Sequence, residues 1–445
     1  MAERVDIVIA GGGIAGSVAA TALSRLGLEV LLIEPGLHAD RRLGGELLHP
    51  LGVAGLAELD LLDQVSAKGA VAIDGFHIWD ATSGDVTLTY DDAGGRPALA
   101  LDHALLCGAL LGSAACRPGV ALLQGRVVAI DQDAQGVRLR ATTKAGEREI
   151  ECRLLVGADG AQSRVRELAR IAARRHRISS ICAVTVPDST LPEKRFGQLF
   201  IGGSNATLAY RYGMGSARIM FDHAGSPPAR ETVGCLAPTG LPPSLAAAIE
   251  ETARSEPPRH INTFLVIVAK PRRGRVLLIG DAAGTCHPLT ASGMSACIAD
   301  ALSLGSVLEA APQNMDAALD RHVALRNQAQ LSRIALASAM HEVMASRAPE
   351  FAHIRAGMMR YWQSEGGRNR AVALLSMKEC RPRCLFGAML GAAYHGLFSR
   401  PGTASGLAAR LRLAAGLARL LLRYGLGLFG GPRLLPAPLG GERPT

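Results

Sequence analysis

The sequence predicts an α/β protein whose first domain is a sheet of strands joined by helices. Three segments support this prediction: residues 5–34, 154–166 and 276–294. Each begins with a short aliphatic run, continues through a turn that contains glycine, and leads into a helical stretch. Segments of this kind build parallel sheets, because parallel neighbours need a crossover connection. We expect the three turns to contribute to one site.

The first segment has the pattern of a dinucleotide-binding turn. A predicted strand over residues 5–10 leads into the glycine-rich run at 11–16, a helix follows, and a second predicted strand over 30–33 ends at Glu34. An acidic side chain at this place accepts hydrogen bonds from ribose hydroxyls. A glycine-rich run alone is weak evidence, but the strand, the helix and the acid together favour dinucleotide binding over a fortuitous glycine-rich turn.

The three fingerprint glycines have different expected roles. Gly11 permits the tight turn after the strand, Gly13 lets the backbone approach a pyrophosphate, and Gly16 lets the helix pack closely on the sheet. The N-terminus of the helix then presents unpaired N–H groups and a partial positive charge to the phosphates.

The other two segments indicate which dinucleotide is bound. Residues 154–160 form a predicted strand that ends in Asp159-Gly160, and residues 276–281 form one that ends in Gly280-Asp281. Together with the fingerprint, these motifs resemble those of the flavoprotein monooxygenase family. The resemblance implies FAD as the cofactor, with Asp281 on its ribityl–phosphate part and Met294 near the flavin ring.

A longer part of the chain resembles the squalene monooxygenase (squalene epoxidase) family of FAD-dependent flavoprotein monooxygenases. The segments that carry this resemblance are residues 41–61, 287–294, 339–346, 374–376 and 385–398. The similarity covers roughly residues 4–430 and is weakest over 176–265. Because it continues into the C-terminal region, it argues against a generic aromatic-ring hydroxylase.

The resemblance implies a Rossmann-like FAD-binding domain, a β-sheet substrate domain and a helical, membrane-associating C-terminal region. The expected FAD-binding domain is discontinuous. We assign residues 1–70, 96–175 and 266–330 to the FAD-binding domain, 71–95 and 176–265 to the substrate domain, 331–430 to the C-terminal region and 431–445 to a disordered tail.

The family's cofactor positions are carried over only where this sequence matches them. They fall on Ile14, Ala15, Glu34, Arg42, Val127, Asp281 and Met294. The substrate pocket is expected to include Pro288 and Phe76, and Phe76 stands where the family has a tyrosine. The alternatives are a place in a strand core for Phe76 and a solvent-exposed charge for Arg42.

Three departures from the family lie on the substrate side. His103 stands where the family has an arginine that contacts FAD, a His–Phe pair is missing near residues 387–389, and Ala291-Ser292-Gly293 replaces a loop of three glycines. These departures leave the flavin chemistry in place and favour considering substrates other than squalene.

Composition and charge exclude some classes of function. The chain has 445 residues and a formal net charge of +9, but its basic residues are scattered and are not interleaved with aromatic ones, so we expect no nucleic-acid partner. The nine cysteines and twelve histidines show no ligand spacing, so we expect no metal site.

An odd cysteine count fits a reducing compartment, and the early first strand leaves no room for a signal peptide.

Residues 404–423 predict an amphipathic helix. The leucines expected on one face are Leu407, Leu411, Leu417 and Leu421, and the arginines expected on another are Arg412, Arg419 and Arg423. Charges interrupt every apolar run before the roughly 20 residues that a spanning helix needs. With residues 385–398, the helix is expected to rest on an anionic membrane at the cytoplasmic face. The alternative is an amphipathic helix packed on the protein body.

The resemblance implies insertion of one oxygen atom from O2 into an alkene of a polyprenyl or terpenoid lipid, with squalene epoxidation as the family reaction. Because the cofactor carries the reactive chemistry, no catalytic side chain is assigned. A second dinucleotide fingerprint is missing, so NADPH is expected to donate electrons transiently or through a separate reductase. The alternatives are oxygenation of a prenylated aromatic, a flavin-dependent prenyl-lipid reductase, and a flavin-binding membrane protein without turnover.

Overall fold

Two large sheets and a set of C-terminal helices make up the protein in the computed structural model. The structure describes residues 3–36, 44–93, 95–203, 205–223, 240–346, 348–398 and 407–425. The expected tail at 431–445 and Arg42 therefore lie outside the described residues. Strands and helices are labelled in chain order.

The first sheet is largely parallel. Its strands are β1 (Glu3–Ala10), β2 (Val30–Glu34), β8 (Val120–Gln132), β9 (Val137–Thr143), β10 (Gly146–Gly157), β16 (Arg272–Arg273) and β17 (Val276–Leu278). Strand β1 pairs in parallel with β2 and β10, β2 with β8, and β10 with β17. Strand β9 pairs antiparallel with the extended ends of β8 and β10. These strands come from residues that the sequence assigned to the FAD-binding domain.

Both faces of the first sheet are covered, as the aliphatic runs of its central strands require. Ile7 and Ile9 of β1 pack into a core with α1 (Ile14–Ser24), whereas Val8 and Ala10 belong to a second core on the opposite face. The other helices of this half are α2 (Pro50–Glu58), α3 (Leu62–Ser66), α4 (His103–Ala115), α5 (Arg164–Leu168) and α7 (Gly293–Ala310).

The second sheet is mainly antiparallel. Its strands, in spatial order, are β15 (Arg259–Ile267), β11 (Arg174–Pro187), β14 (Ser216–His223), β13 (Thr207–Gly213), β12 (Phe196–Ile201), β5 (Gly75–Asp80) and β6 (Gly84–Thr89). A small third sheet of β3 (Leu47–Leu48), β7 (Ala98–Ala100) and β4 (Val71–Ile73) lies between the two.

Helix α6 (Pro243–Ser255) is absent from the sequence prediction, which assigned only strands and turns to this region. Its buried residues Leu245, Ile249 and Ala253 repeat every four positions, and Pro243 occupies the first turn. That spacing and a proline at the start are typical of a helix. The many prolines nearby obscured the pattern.

The C-terminal helices are α8 (Met315–Ala345), α9 (Pro349–Gln363), α10 (Glu365–Leu375), α11 (Pro382–Phe398) and α12 (Leu407–Leu420), followed by a π-helical turn at Leu421–Gly425. In α12, Leu413, Leu417 and Leu420 are buried against the rest of the protein, but Leu411 is 61% exposed. The predicted common face of Leu411 and Leu417 is therefore wrong. Among the described residues, no helix combines the length and the apolarity needed to cross a membrane.

Candidate active site

The three glycine-containing turns meet at the carboxyl edge of the first sheet. They follow β1, β10 and β17, which are parallel neighbours. A Cβ atom on Gly11 would lie 2.5 Å from the carbonyl oxygen of Ala158, and one on Gly280 would lie 2.8 Å from the Cβ of Ala15. Arg166, just after the second turn, donates from Nη1 to the carbonyl oxygen of Ala282 at 2.9 Å. The distant motifs therefore form one continuous site.

The fingerprint glycines differ in the space around them. Gly11 has φ +108°, and a Cβ on Gly16 would lie only 1.8 Å from the carbonyl oxygen of Gly11, so both positions exclude a side chain. No atom of the described residues lies within 4 Å of a Cβ placed on Gly13. Gly13 thus faces open space at the start of α1, where Ile14 and Ala15 are buried. Open backbone at a helix N-terminus fits a bound pyrophosphate.

Glu34 lies beside the glycine turn, at the end of β2. Its Oε2 accepts a hydrogen bond from the backbone N–H of Gly12 at 2.6 Å, and its Oε1 accepts one from Gly36 at 3.0 Å. A carboxylate has about four acceptor sites, so lone pairs remain for ribose hydroxyls. The residues present therefore fit the adenosine half of FAD.

Asp281 lies on the turn after β17, next to the glycine turn that follows β1, because Gly280 abuts Ala15. The residue is exposed to solvent, yet the surrounding protein raises the pKa of its carboxyl by burial, an effect that Arg333, His103 and Arg326 oppose. We call the solvent-exposed space beside these two turns the cleft.

Asp300 and Arg326 hold the turn that carries Asp281. Asp300 Oδ2 accepts hydrogen bonds from the backbone N–H of Gly280 and from Arg326 Nε, each at 2.9 Å. Arg326 on α8 is buried and Asp300 on α7 is half-buried beneath the turn. Sequence reasoning missed both residues, because nothing in their local pattern marks them as partners of a turn 20 or more positions earlier.

The start of α7 borders the segment around Gly45, where the resemblance expects the flavin ring near Met294. Met294 is buried in its first turn, and its Cγ lies 3.3 Å from the Cβ position of Gly45. His103 contacts the same segment, with its Nδ1 2.9 Å from the carbonyl oxygen of Gly45. Pro288 is half-buried in the preceding loop. Met294 and His103 therefore meet at Gly45, and Pro288 lies in the loop that leads to α7.

Val127 lies elsewhere than the other predicted cofactor residues. Its side chain is 7% exposed and is packed in the core that contains Val8 and Ile33. The side chain therefore belongs to the sheet core, and a contact with FAD would have to come from the backbone.

Phe76 belongs to a buried cluster with His49 and Tyr90. Its ring centroid lies 6.0 Å from that of His49 and 6.3 Å from that of Tyr90. His49 Nε2 lies 2.8 Å from the carbonyl oxygen of Thr290, and Nδ1 lies 2.8 Å from the Tyr90 hydroxyl. A carbonyl can only accept, so Nε2 carries the proton and Nδ1 accepts from Tyr90. Phe76 is 8% exposed and belongs to a core cluster, as the alternative of a place in a strand core expected, and its role in a substrate pocket stays a prediction. Sequence analysis identified neither partner.

His49 should make folding sensitive to mild acid. Burial lowers the pKa of its imidazole from 6.5 to about 4. The unfolded chain therefore binds a proton at a pH where the folded protein does not, so stability is full above pH 6.5 and falls toward pH 4. The loss from this residue is roughly 3 kcal/mol. We expect His49→Gln to flatten the dependence of unfolding free energy on pH in that window. An unchanged slope in urea titrations would contradict this assignment.

Asp222, His287 and His341 form a second buried cluster, and their potential ligand atoms lie within 4.8 Å of one another. His287 Nε2 is 3.2 Å and His341 Nε2 is 2.9 Å from Asp222 Oδ2. Burial opposes ionisation, but the two imidazoles hold the pKa of the Asp222 carboxyl below its ordinary value. Spacing along the sequence did not reveal this cluster, because its residues are far apart in sequence and meet only in the fold; the absence of a metal site stays a prediction.

The hydrogen bond at His287 Nδ1 argues against a metal ligand at this residue. The Leu289 N–H donates to His287 Nδ1 at 3.2 Å, so Nε2 of the neutral ring carries the proton. The two rings are stacked, with centroids 4.2 Å apart and planes at 28°, and both Nε2 atoms approach Asp222 Oδ2. The cluster fastens the loop before α7 to β14 and α8.

Glu46 and Arg218 form a buried ion pair between the segment that precedes β3 and the second sheet. Arg218 Nη2 donates to Glu46 Oε1 at 2.7 Å, and Nε donates to Oε2 at 2.9 Å. The side chains are 6% and 3% exposed for Arg218 and Glu46. Glu46 follows Gly45, which lies against Met294 at the start of α7, and Arg218 is on β14. The pair therefore holds the second sheet against the segment beside α7. The sequence prediction missed this pair.

Comparison with known proteins agrees with this geometry. A family model described as "FAD binding domain" matches residues 4–330. Squalene monooxygenase of Mus musculus is 27% identical over 304 residues, which are 66% of this chain and 53% of that protein. The match therefore spans about half the length of that relative. A squalene monooxygenase of Panax ginseng is 25% identical over 427 residues, which are 89% of this chain and 77% of the relative.

Solved structures share the fold. The p-nitrophenol 4-monooxygenase PnpA of Pseudomonas putida superposes with a TM-score of 0.74 at 20% identity, covering 84% of this chain and 98% of that one. At this identity the match concerns architecture alone. The resemblance to squalene monooxygenases that the motifs suggested is confirmed by the relatives, and it includes the C-terminal helices in the longer alignment.

Proposed function

Because the chain belongs to the FAD binding domain family, we propose that it is an FAD-dependent monooxygenase whose substrate is a polyprenyl or terpenoid lipid. The reaction inserts one oxygen atom from O2 into an alkene. Squalene is the first candidate substrate, since the relatives are squalene monooxygenases that share 25–27% of their aligned residues with this chain.

The observation that carries the proposal is the apolar packing around the loop that follows Asp281. Leu289 and Ala291 of this loop pack against a cluster that includes Phe76 of the second sheet and Leu374 and Leu385 of the C-terminal helices. A lipid alkene chain would need apolar surroundings of this kind, which also keep water from the reacting centre.

Each part of the site has a task in this reaction. FAD, when bound, supplies the two-electron and O2 chemistry. Gly13 and the start of α1 would hold its pyrophosphate, Glu34 its adenosine ribose and Asp281 its ribityl–phosphate part. Phe76 and Pro288 would orient the substrate. Electrons would come from NADPH directly or through a reductase partner.

A single experiment separates the candidate functions. FAD-loaded protein would be reduced without oxygen, mixed with O2 and squalene in detergent, and its products analysed by mass spectrometry. Squalene that gains one oxygen supports the epoxidase. Flavin reoxidation without that product moves the search to prenylated aromatics, which the changed residues 291–293 favour. Substrate that gains two hydrogens indicates a reductase, and no substrate-dependent flavin oxidation favours a binding protein without turnover.

An exposed apolar stripe on α11 supports a membrane surface as partner. Leu390, Tyr394 and Phe398 are 46%, 62% and 72% exposed, and their spacing of four residues places them on one side of the helix. Exposed aromatic and aliphatic residues aligned on a helix suit the interfacial region of a bilayer. We propose that the protein is peripheral, on the cytoplasmic face, and draws its substrate from the lipid through this stripe.

Removing the stripe should weaken binding to lipid. Replacing Leu390, Tyr394 and Phe398 by serine is expected to reduce co-sedimentation with anionic phospholipid vesicles at least tenfold while the circular dichroism spectrum stays unchanged. Met214→Ser is the matched control, because Met214 is 86% exposed on the turn between β13 and β14. Equal vesicle binding by the triple variant and the wild type would exclude α11 as the contact.

A further inference from the structure

Exposed arginines are concentrated beside the turn that follows β10. Residues 164–177 contain six arginines and one glutamate. Arg273, just before β17, donates from Nη1 to the carbonyl oxygen of Ala169 at 3.0 Å, so it lies against this segment. We define the exposed members of the group as the basic face, and they are Arg170, Arg174, Arg175 and Arg273.

Three arginines of the basic face lack a carboxylate partner. Among the described residues, no carboxylate lies within ion-pair distance of Arg170, Arg175 or Arg273. Glu167, the one acid of the segment, pairs with Arg164 at 2.9 Å. Several exposed arginines elsewhere do have such partners, as in the pairs Arg138–Glu151, Arg140–Glu147 and Arg195–Asp74. The positive charge of these three side chains is therefore left for another molecule to balance.

Arg166 of α5 connects the basic face to the turns around the cleft. Its Nη1 donates to the carbonyl oxygen of Ala282, the residue after Asp281, and its Nη2 donates to that of Ala161, both at 2.9 Å. Burial lowers the pKa of its guanidinium, and the nearby charge of Arg175 acts in the same direction. The basic face thus lies within one side chain of the turns that would hold the cofactor.

The exposure of the basic face favours a protein partner. Small ligands bind mainly in concave, largely apolar sites, whereas complementary charges on exposed surfaces steer proteins together. Complexes of redox proteins have small interfaces and depend on such steering. Within residues 164–177, all of which the structure describes, no large hydrophobic side chain is exposed. A membrane surface usually also takes up apolar side chains, so it fits this face less well than an acidic protein does.

We propose that the basic face is the docking surface for an acidic electron-transfer protein that supplies the electrons for the flavin. The inference rests on the proposed monooxygenase function. In that reaction, substrate, O2, two electrons and two protons give the oxygenated product and one water, so two electrons must enter from outside in each turnover. The chain carries a single dinucleotide fingerprint, which FAD would occupy. A one-electron carrier with an acidic surface would dock twice per turnover.

Charge reversal on the basic face tests the docking. The variants are Arg170→Glu and Arg175→Glu, and the second also loses a contact with the Phe264 ring, whose centroid lies 3.8 Å from the guanidinium carbon. Lys144→Glu is the matched control, because Lys144 is exposed in the turn between β9 and β10, at the end of β10 away from the cofactor turns. The probe is a plant-type [2Fe–2S] ferredoxin, an acidic one-electron carrier.

The first readout is the Kd of oxidised ferredoxin for the full chain, which needs no turnover. At low ionic strength, Arg170→Glu and Arg175→Glu should each raise the Kd about fivefold or more, and Lys144→Glu should change it less than about twofold. At an ionic strength of about 0.5 M the four proteins should bind equally weakly, because salt screens exposed charges. A Kd of Arg170→Glu equal to the wild type at low salt, or an equal rise in Lys144→Glu, overturns the proposal.

The second readout is the anaerobic reduction of bound FAD. Reduced ferredoxin should reduce it about fivefold more slowly in Arg170→Glu, while the small reductant dithionite should act within about twofold of its wild-type rate. Weaker binding of NADPH, or of anionic phospholipid vesicles, with an unchanged Kd for ferredoxin would assign the face to that ligand and refute the docking. Charge-dependent binding and reduction without any oxygenated lipid would support the docking and count against the proposed substrate alone.

Discussion

Glu46→Ala should lower the free energy of unfolding by about 3–5 kcal/mol, since it leaves Arg218 buried without its anion. The pair is bidentate, with the shorter contact at 2.7 Å, and this geometry keeps Glu46 ionised although burial raises the pKa of its carboxyl. The remaining guanidinium could use only Thr185 and the face of Tyr212, which lies 4.5 Å away. Urea unfolding of the FAD-free protein would measure the loss.

Two controls separate an uncompensated charge from a general loss of packing. Asp60→Ala removes an exposed partner of Arg25, and it should change stability by about 1 kcal/mol or less. The double variant Glu46→Met with Arg218→Met should recover most of the loss, because replacing both members of a buried pair by apolar residues is often neutral. A double variant as unstable as Glu46→Ala would show that packing, and not charge, accounts for the effect.

Gly16→Ala should prevent formation of the FAD site through a single added methyl group. The new Cβ would lie 1.8 Å from the carbonyl oxygen of Gly11, which is backbone and cannot move aside without opening the turn. Overpacking of this kind costs upwards of about 3 kcal/mol. We expect a lower melting temperature without FAD and no measurable FAD binding.

Gly13→Ala is the matched variant, because no described atom lies within 4 Å of the added Cβ. It should leave the stability of the FAD-free protein within about 0.5 kcal/mol. FAD should nevertheless bind at least tenfold more weakly, since the methyl group occupies the space reserved for the pyrophosphate. Equal losses of stability in Gly13→Ala and Gly16→Ala would contradict the assignment of helix packing to Gly16 and of pyrophosphate approach to Gly13.

The local part of the site can be predicted from the sequence alone. The aliphatic runs specify β1, β10 and β17, and the glycines and Glu34 specify the cofactor end, because strand, turn and helix N-terminus are set by neighbours within a few residues. The same locality explains why the resemblance to flavoprotein monooxygenases was visible in short motifs. It also explains the error on α12, where only the surrounding helices decide that Leu413 is buried and Leu411 is exposed.

The contacts between polar groups from distant segments depend on the whole fold. Glu46 with Arg218, His287 with His341, and Arg333 with Ser292 are joined from strands, loops and helices that are far apart in sequence. None of these residues stands out in its own segment, because no local sequence pattern identifies the partner of a charged residue or a histidine. Burial makes these contacts important, because a polar group removed from water is costly unless it has a hydrogen-bond or ionic partner. Which partner is available depends on how the whole chain folds.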